Sequence, residues 1–307
     1  MSLSQLLACP RCQAPLRQAS GSDAIYCARD GLEFGRRQGI WDLIDPARRN
    51  ALMPFISHYV AVRKMEGWGS PDPAYYRSLP LRDSTGCNSA LWRIRARSFC
   101  CLRGIIQGLG QAVGPVRYAL DLGAGNGWLA YRLTEMGFDA CALDLSPDER
   151  DGLGAAVNYP APFLCVLGEF ERLPFPDAVF HLAVFSASLH YAQDDVRALA
   201  SAARVLRPGG RIFILDSPIY RTRESGVQMV QEMKDRLTRE FGLETWVQPG
   251  PGYLTFPGIR QWGEQLGLRV SVHTPGYGLR WRARHLLARI RRNREPASFR
   301  IIELAKE

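Results

Sequence analysis

The sequence predicts an α/β protein organised around a doubly wound, mostly parallel sheet, and three observations carry that reading. From Val116 onward, short apolar runs alternate with helical segments, the pattern of successive βαβ units. A glycine-rich turn, Gly123-Ala124-Gly125-Asn126-Gly127, lies directly between an apolar run and a helical one. The chain has 307 residues, 46% hydrophobic and 22% charged, ordinary values for one α/β domain with something small added.

Residues 1–45 are cysteine-bearing and turn-rich, too short to fold on an apolar core alone. Residues 46–115 read as a cap of helix and loop. Helices are predicted over Ala51–Lys64 and Asn88–Leu109, the second with Leu91, Ile94, Phe99, Leu102 and Ile105 near helical spacing. Between them GWGSPDPAYYRSLPLRDSTG, dense in glycine, proline and aromatics, is predicted to be loop. Residues 116–307 form the main domain. Its predicted strands are Val116–Leu122, Ala140–Leu143, Phe163–Leu167, Leu182–Phe185 and Arg211–Leu215, followed by Arg269–His273 and Phe299–Leu304. Seven strands with intervening helices make a doubly wound sheet, and ligands in such sheets sit beyond the carboxyl ends of the strands. Functional residues are therefore expected just after each strand.

Composition narrows the setting. A formal charge of +9 suits nucleic acid, acidic metabolites or an anionic membrane face, and chooses none of them. No apolar run reaches the length of a bilayer span. The start, MSLSQLLACPRC, lacks the basic and long apolar regions of a secretory signal. Of eight cysteines, Cys87, Cys100, Cys101, Cys141 and Cys165 are scattered without disulfide-framework spacing, so a reducing, cytoplasmic location is expected.

The glycine turn carries the chemistry. A dinucleotide fingerprint, Gly-x-Gly-x-x-Gly, needs glycine at 128, where this chain has Trp128. The tighter Gly123-x-Gly125-x-Gly127 turn, preceded by Asp121, suits a cofactor bearing a carboxylate and a nucleoside. Asp144 ends the second strand, and a carboxylate can accept two hydrogen bonds from a vicinal diol. Taken singly, each feature has a plain structural use: a tight turn, a helix N-cap at Asp144, a solvated carboxylate at Glu169.

Together these residues resemble the class I, Rossmann-like S-adenosylmethionine-dependent methyltransferases, of the type 11-like branch. The resemblance continues in Gly168-Glu169-Phe170-Glu171-Arg172-Leu173-Pro174-Phe175-Pro176-Asp177, similar to the family stretch D-A-E-x-L-P-F-x-D. It ends in Val205-Leu206-Arg207-Pro208-Gly209-Gly210, similar to V-L-K-P-G-G. It implies S-adenosylmethionine as cofactor, held by Asp121, Gly123, Gly125, Gly127, Asp144, Glu169, Phe170 and Ser186. In that reading Asp144 takes the ribose hydroxyls, Glu169 the adenine amino group, and Phe170 lies beside the ring. One departure is His181, where the family commonly has aspartate at a structural position.

Cys9-Pro10-Arg11-Cys12 is half of a zinc knuckle, and Cys27-Ala28-Arg29-Asp30-Gly31 offers Cys-x-x-Asp as the other half. Carboxylate oxygen is an acceptable zinc ligand, so Cys9, Cys12, Cys27 and Asp30 can complete a tetrahedron. The segment resembles the zinc ribbon of bacterial ribosomal-RNA guanine-N1 methyltransferases, in which histidine is the typical fourth ligand. Gly39-Ile40-Trp41-Asp42-Leu43-Ile44 resembles that ribbon's closing strand. A degenerate ribbon without metal is the alternative.

Methyl transfer from a sulfonium needs alignment and exclusion of water, and a base only for a nucleophile that arrives protonated. His190, in Ser186-Ala187-Ser188-Leu189-His190-Tyr191, is the candidate base or else a packing residue; Asp216 and Tyr220 are weaker candidates. The chain has neither the Asn-Pro-Pro-Tyr motif of amino-methylating nucleic-acid enzymes nor a catalytic-cysteine signature. A small, quinone-like acceptor fits the Leu-Pro-Phe stretch, with aromatics of 59–81 and Tyr253–Trp262 available to cap a pocket. RNA fits the ribbon and the basic Arg280–Arg294 stretch. There Trp281, Leu286, Leu287 and Ile290 are expected to face the sheet, and Arg291, Arg292 and Arg294 to face outward. A protein that binds S-adenosylmethionine without turnover is the third reading.

Overall fold

The computed structural model describes residues 3–18, 24–109, 117–278 and 294–306, together with Trp281, Ala283, Leu287 and Ala288. Strands β1 (Arg17–Gln18), β2 (Ile25–Tyr26) and β3 (Glu33–Phe34) make a small antiparallel sheet. They are followed by β4 (Arg36–Arg37), β5 (Ile40–Asp42) and the helices α1 (Pro46–Met65), α2 (Pro73–Ser78) and α3 (Ser89–Gly108). The main domain then runs β6 (Arg117–Leu122), α4 (Trp128–Glu135), β7 (Phe138–Asp144), β8 (Leu164–Leu167) and β9 (Phe180–Ser186). It continues with α5 (Asp195–Val205), β10 (Leu206–Leu215), β11 (Ile219–Tyr220), α6 (Arg223–Phe241) and β12 (Leu254–Thr255). It closes with α7 (Phe256–Leu266), β13 (Arg269–His273) and β14 (Ile301–Ala305).

Local chemistry sets the helix ends. α1 begins five residues before the expected Ala51 because Asp45 caps it, accepting the Ala47 N–H at 3.0 Å, and Pro46 presets the first helical φ. The helix continues past Pro54, which removes one donor without ending it. The expected loop contains α2, capped by Asp72 with Pro73 behind it, and Tyr75 and Tyr76 are each only 1% exposed. Two buried tyrosine rings outweigh the turn signals of the flanking Gly and Pro residues.

All seven expected strands are present, and two more lengthen the sheet, in the order β13-β14-β10-β9-β6-β7-β8-β5-β4. β5 through β10 run parallel to one another, whereas β14 is antiparallel to both β10 and β13. The strand expected to close the ribbon does otherwise. Ile40, Trp41 and Asp42 pair with Cys165, Val166 and Leu167 of the main sheet. Alternate residues serve opposite faces, as the strand's period of two requires. Leu120, Leu122, Ala183 and Phe185 pack toward α5 and α7, while Ala119, Leu182 and Val184 pack toward α3 and α4. Leu3, Leu7, Ile25 and Phe34 of the amino-terminal module join the first of these layers.

Among the described residues no helix is long and apolar enough to cross a membrane. Of the basic carboxyl stretch, Leu286, Ile290, Arg291 and Arg292 lie outside the described residues. Leu287, expected to pack on the sheet, is 46% exposed. Trp281 is half-buried, its ring 5.0 Å from Tyr277 and 5.5 Å from Phe299. Arg294 is turned inward, its Nη2 donating to Glu232 Oε2 at 2.9 Å and its Nη1 to the Tyr220 hydroxyl at 3.1 Å.

Candidate active site

The strand order reverses between β6 and β9, and the glycine turn sits at that switch point. Gly123 has φ +73°, and a Cβ there would lie 2.4 Å from Ser188 Cβ and 3.0 Å from the Phe170 ring. Only glycine lets the turn and the loop after β9 meet so closely. Gly125 and Gly127 also have positive φ, and Gly127 leads straight into α4.

Asp144, at the end of β7, binds this turn to the loop after its own strand. Its Oδ2 accepts the Gly125 N–H and its Oδ1 the Ser146 N–H, each at 2.8 Å. Burial raises its pKa from the ordinary carboxylate range. One lone pair on each oxygen remains for a diol. Asp121 behaves differently. It is 1% exposed beneath the turn, with Oδ2 accepting the Ala130 N–H at 3.0 Å and Oδ1 unpartnered. Burial pushes its pKa up to about 8, the direction that favours the neutral acid; it braces α4 and does not line the pocket.

The pocket beside Asp144 holds about 100 Å³. Arg48, Leu52, Phe55 and Tyr59 of α1 form one wall, and Glu169, Phe170, Ser188 and Tyr191 lie across from them. Small-molecule sites commonly enclose about 300–1,000 Å³. A nucleoside-sized ligand therefore needs one of these walls to open. Glu169 is where the resemblance put it, after β8, but its carboxylate already has a partner. Arg48 donates to Glu169 Oε2 from Nη2 at 2.9 Å and from Nε at 3.0 Å. The two residues are 121 positions apart, and no local spacing announced the pair. Phe170 packs edge-on against Phe185 at 5.3 Å. Ser186 lies outside the pocket wall, with Oγ 3.4 Å from Asp216 Oδ2.

Two further polar groups lie outside this pocket's lining. Arg63 pairs with Asp151, which also accepts from Asn126 Nδ2 at 3.3 Å. Asp216 Oδ1 accepts the Ser98 hydroxyl at 2.6 Å, and Ser98 lies 2.8 Å from the Tyr277 hydroxyl. Tyr59 and Tyr191 meet edge to face at 5.6 Å. Of the other aromatics foreseen as a cap, Trp262 instead sits in the core, its Nε1 donating to Asp195 at 3.3 Å. His181 serves the backbone, its Nδ1 accepting the Tyr118 N–H at 3.1 Å.

His190 is 8% exposed, with Nδ1 3.0 Å from the Ser217 hydroxyl, and it does not line the pocket. Burial, helped by the Arg95 charge, lowers its pKa to about 3, which makes it a weak proton acceptor at neutral pH. This has a measurable consequence. The unfolded imidazole takes a proton near pH 6.5, whereas the native one resists until about 3. The native state is thus fully favoured above pH 6.5 and loses stability as pH falls from there, at no more than about 1.4 kcal/mol per pH unit from this group. Urea titrations between pH 7.5 and 4.5 should show His190→Gln with a shallower acid decline than wild type. Parallel declines would contradict the assignment.

Cys9, Cys12, Cys27 and Asp30 come together as the spacing suggested, their ligand atoms all within 4.8 Å of one another. Cys12 and Cys27 sulfurs lie 3.5 Å apart, and Cys9 Sγ is 3.2 Å from Asp30 Oδ2. Tetrahedral zinc with bonds of about 2.3 Å to sulfur sets ligand atoms about 3.8 Å apart. The donor set fits such an ion. Backbone turns shape both halves: Gln13 N–H donates to Cys9 O at 2.9 Å and Gly31 N–H to Cys27 O at 2.9 Å. The module is wired to α1 through Arg11, whose Nη2 donates to the capping Asp45 at 2.7 Å. Arg172 reaches the same carboxylate at 3.4 Å. These arginines, Arg11 foremost, hold Asp45 below the usual carboxylate range.

Residues 120–214 match the family model described as a methyltransferase domain. An uncharacterized methyltransferase of Mycobacterium tuberculosis is 36% identical over 124 residues, 40% of this chain and 48% of its own length. The chain thus spans about half of that relative. A demethylmenaquinone methyltransferase of Mycolicibacterium paratuberculosis is 31% identical over 174 residues, 55% of this chain and 72% of its own. Among solved structures, an S-adenosylmethionine-dependent methyltransferase from Mesorhizobium loti aligns with TM-score 0.46 and 18% identity, covering 66% of this chain and 96% of that one. From the family match and the extent of the demethylmenaquinone methyltransferase covered, the chain belongs to the class I S-adenosylmethionine-dependent methyltransferases.

Proposed function

We propose that the protein transfers the methyl group of S-adenosylmethionine to a small-molecule acceptor. The observation that carries this reading is Asp144, which holds the glycine turn through the Gly125 N–H at the switch point and keeps lone pairs for a ribose diol. On this reading Gly123, Gly125 and Gly127 let the backbone approach the methionine part. Glu169 takes the adenine amino group once Arg48 releases it, and Phe170 covers the ring. Asp121 and Ser186 act from behind, bracing α4 and Asp216. The acceptor attacks the methyl carbon in line as the carbon–sulfur bond breaks, and sulfur keeps the electron pair. S-adenosylhomocysteine leaves, and any proton on the nucleophile passes to water or to a group other than the weakly basic His190.

A small acceptor is favoured by the aromatic wall of Phe55, Tyr59 and Tyr191 and by relatives named for a quinone substrate. The RNA reading loses one of its arginines, because Arg294 is already engaged by Glu232. We further propose three parts: a ribbon module at 1–45 holding one structural zinc, a cap at 46–115, and the methyltransferase domain at 116–307. A cytoplasmic setting suits the free thiols. Calorimetry should detect S-adenosylhomocysteine binding and none of NAD. Labelled methyl donor incubated with metabolite and ribosomal-RNA fractions should mark the former. Label in RNA alone overturns the small-molecule reading, and cofactor binding without label in either fraction selects the non-catalytic one.

A further inference from the structure

Methyl transfer uses the end of the sheet where the glycine turn and Asp144 lie, and it assigns nothing to the opposite end. There, near the starts of β6, β9 and β10, Arg117, His181, Arg207 and Arg211 line one cavity of about 340 Å³. At about 3.3 Å per residue, the length of β6 separates that cavity from the glycine turn by on the order of 15 Å. No aspartate or glutamate is among the described residues lining it. Arg211 is committed to an ion pair with Glu303. Arg117 and Arg207 have no ion pair among the described residues. Arg117 donates from Nη2 to the Met136 carbonyl at 2.9 Å and lies over the Phe138 ring, 4.4 Å from its centroid.

His181 shows what the cavity lacks. Its Nδ1 accepts the Tyr118 N–H at 3.1 Å. A neutral imidazole has one accepting and one donating nitrogen, so Nε2 carries the proton. That Nε2 stands 3.0 Å from Arg207 Nη1, and a guanidinium nitrogen also only donates. Two donors therefore face each other without an acceptor, an unfavourable pairing. Burial and the charges of Arg207 and Arg117 hold the His181 pKa below its ordinary value, which keeps the ring neutral.

We propose that this cavity binds a phosphate monoester carried on an apolar body, its oxygens accepting from Arg117, His181 and Arg207. One oxygen set between His181 Nε2 and Arg207 Nη1 takes both protons and turns opposed donors into a clamp. The charges match, because a phosphate monoester carries about −1.5 to −2 at neutral pH and two arginines await a counter-ion. Ile106, Leu109, Phe138 and Leu182 line the same cavity and meet the apolar part. Its volume falls within the roughly 300–1,000 Å³ common for small-molecule sites. Such a ligand ties together the starts of three central strands and stabilises the native state as its concentration rises.

The test titrates the full chain by calorimetry with phenyl phosphate, benzoate and phenol, at a fixed ionic strength of about 0.15 M. Wild type should bind phenyl phosphate at least about tenfold more tightly than phenol, the scale of one charge-assisted hydrogen bond, and more tightly than benzoate. Arg207→Met should weaken phenyl phosphate about tenfold. His181→Asp should weaken it at least as much, because a carboxylate there pairs with Arg207 and repels the phosphate. His181→Gln keeps one donor and should lose less. Ligand-free melting midpoints within about 4 °C of wild type report intact folds, and Arg207 is exposed, so its variant decides the matter even if those at 181 melt early. Phenyl phosphate bound no better than phenol overturns the proposal, as does tighter binding of benzoate. So does an affinity unchanged by Arg207→Met, or one lowered equally by Arg197→Met on α5, which would mark a diffuse attraction to positive charge.

Discussion

Replacing Asp144 by alanine should weaken S-adenosylmethionine binding by about 100-fold, the loss of roughly 3 kcal/mol. The expected size comes from what the carboxylate already does without ligand. It accepts the N–H groups of Gly125 and Ser146, so its removal frees two backbone donors and loosens the glycine turn. The hydrogen bonds expected from the ribose diol are lost as well. Asp144→Asn keeps one acceptor oxygen and should lose less. Calorimetry with S-adenosylhomocysteine gives the affinities. Hydrogen exchange at the Gly125 amide separates a loosened turn from a lost ligand contact. An alanine variant that binds as wild type does would remove the ribose role from Asp144.

Cys27→Ser should release the proposed zinc and loosen the amino-terminal module. Wild type, prepared without chelator, should carry close to one equivalent of zinc, and the variant close to none. Structural zinc stabilises small modules by up to about 10–16 kcal/mol in isolated peptides. Here Leu3, Leu7 and Phe34 also pack on the main core, so part of the module's hold survives loss of the ion. A stability loss on the order of several kcal/mol is expected, with residues 1–45 becoming sensitive to protease. Because Arg11 of the module holds Asp45 at the start of α1, the variant should also alter entry of the cofactor past that helix. Metal analysis that finds no zinc in wild type would end the ribbon assignment.

The main sheet was legible because its central strands β6, β7, β8 and β10 are short apolar runs closed by a glycine or an aspartate. The candidate cofactor residues were sought by the same signal, since Gly123 to Gly127 and Glu169 follow a strand and Asp144 ends one. Contacts between distant segments left no such trace. Arg48 meets Glu169 across 121 residues, and Ser98 meets Asp216 across 118. Neither arginine nor serine in a helix has a spacing that names its partner. Ile40–Asp42 was read as closing the ribbon because three apolar and acidic residues cannot say which sheet they will join. Its partner was fixed by the free edge of β8. His190 has the ring of a base, but its burial beside Ser217, which lowers its pKa, has no trace in the local sequence.

The same strand addition bears on how the molecule behaves among copies of itself. A sheet ending at β8 would present the unpaired amides and carbonyls of Leu164–Leu167, a template on which another chain could add a strand. β5 covers that row, and beyond it β4 consists of Arg36 and Arg37, both exposed. Two like charges on the outermost strand repel an identical neighbour, whereas an apolar edge would recruit one. The cysteine-bearing segment therefore ends in a stopper for the main sheet, and its detachment would favour clumping.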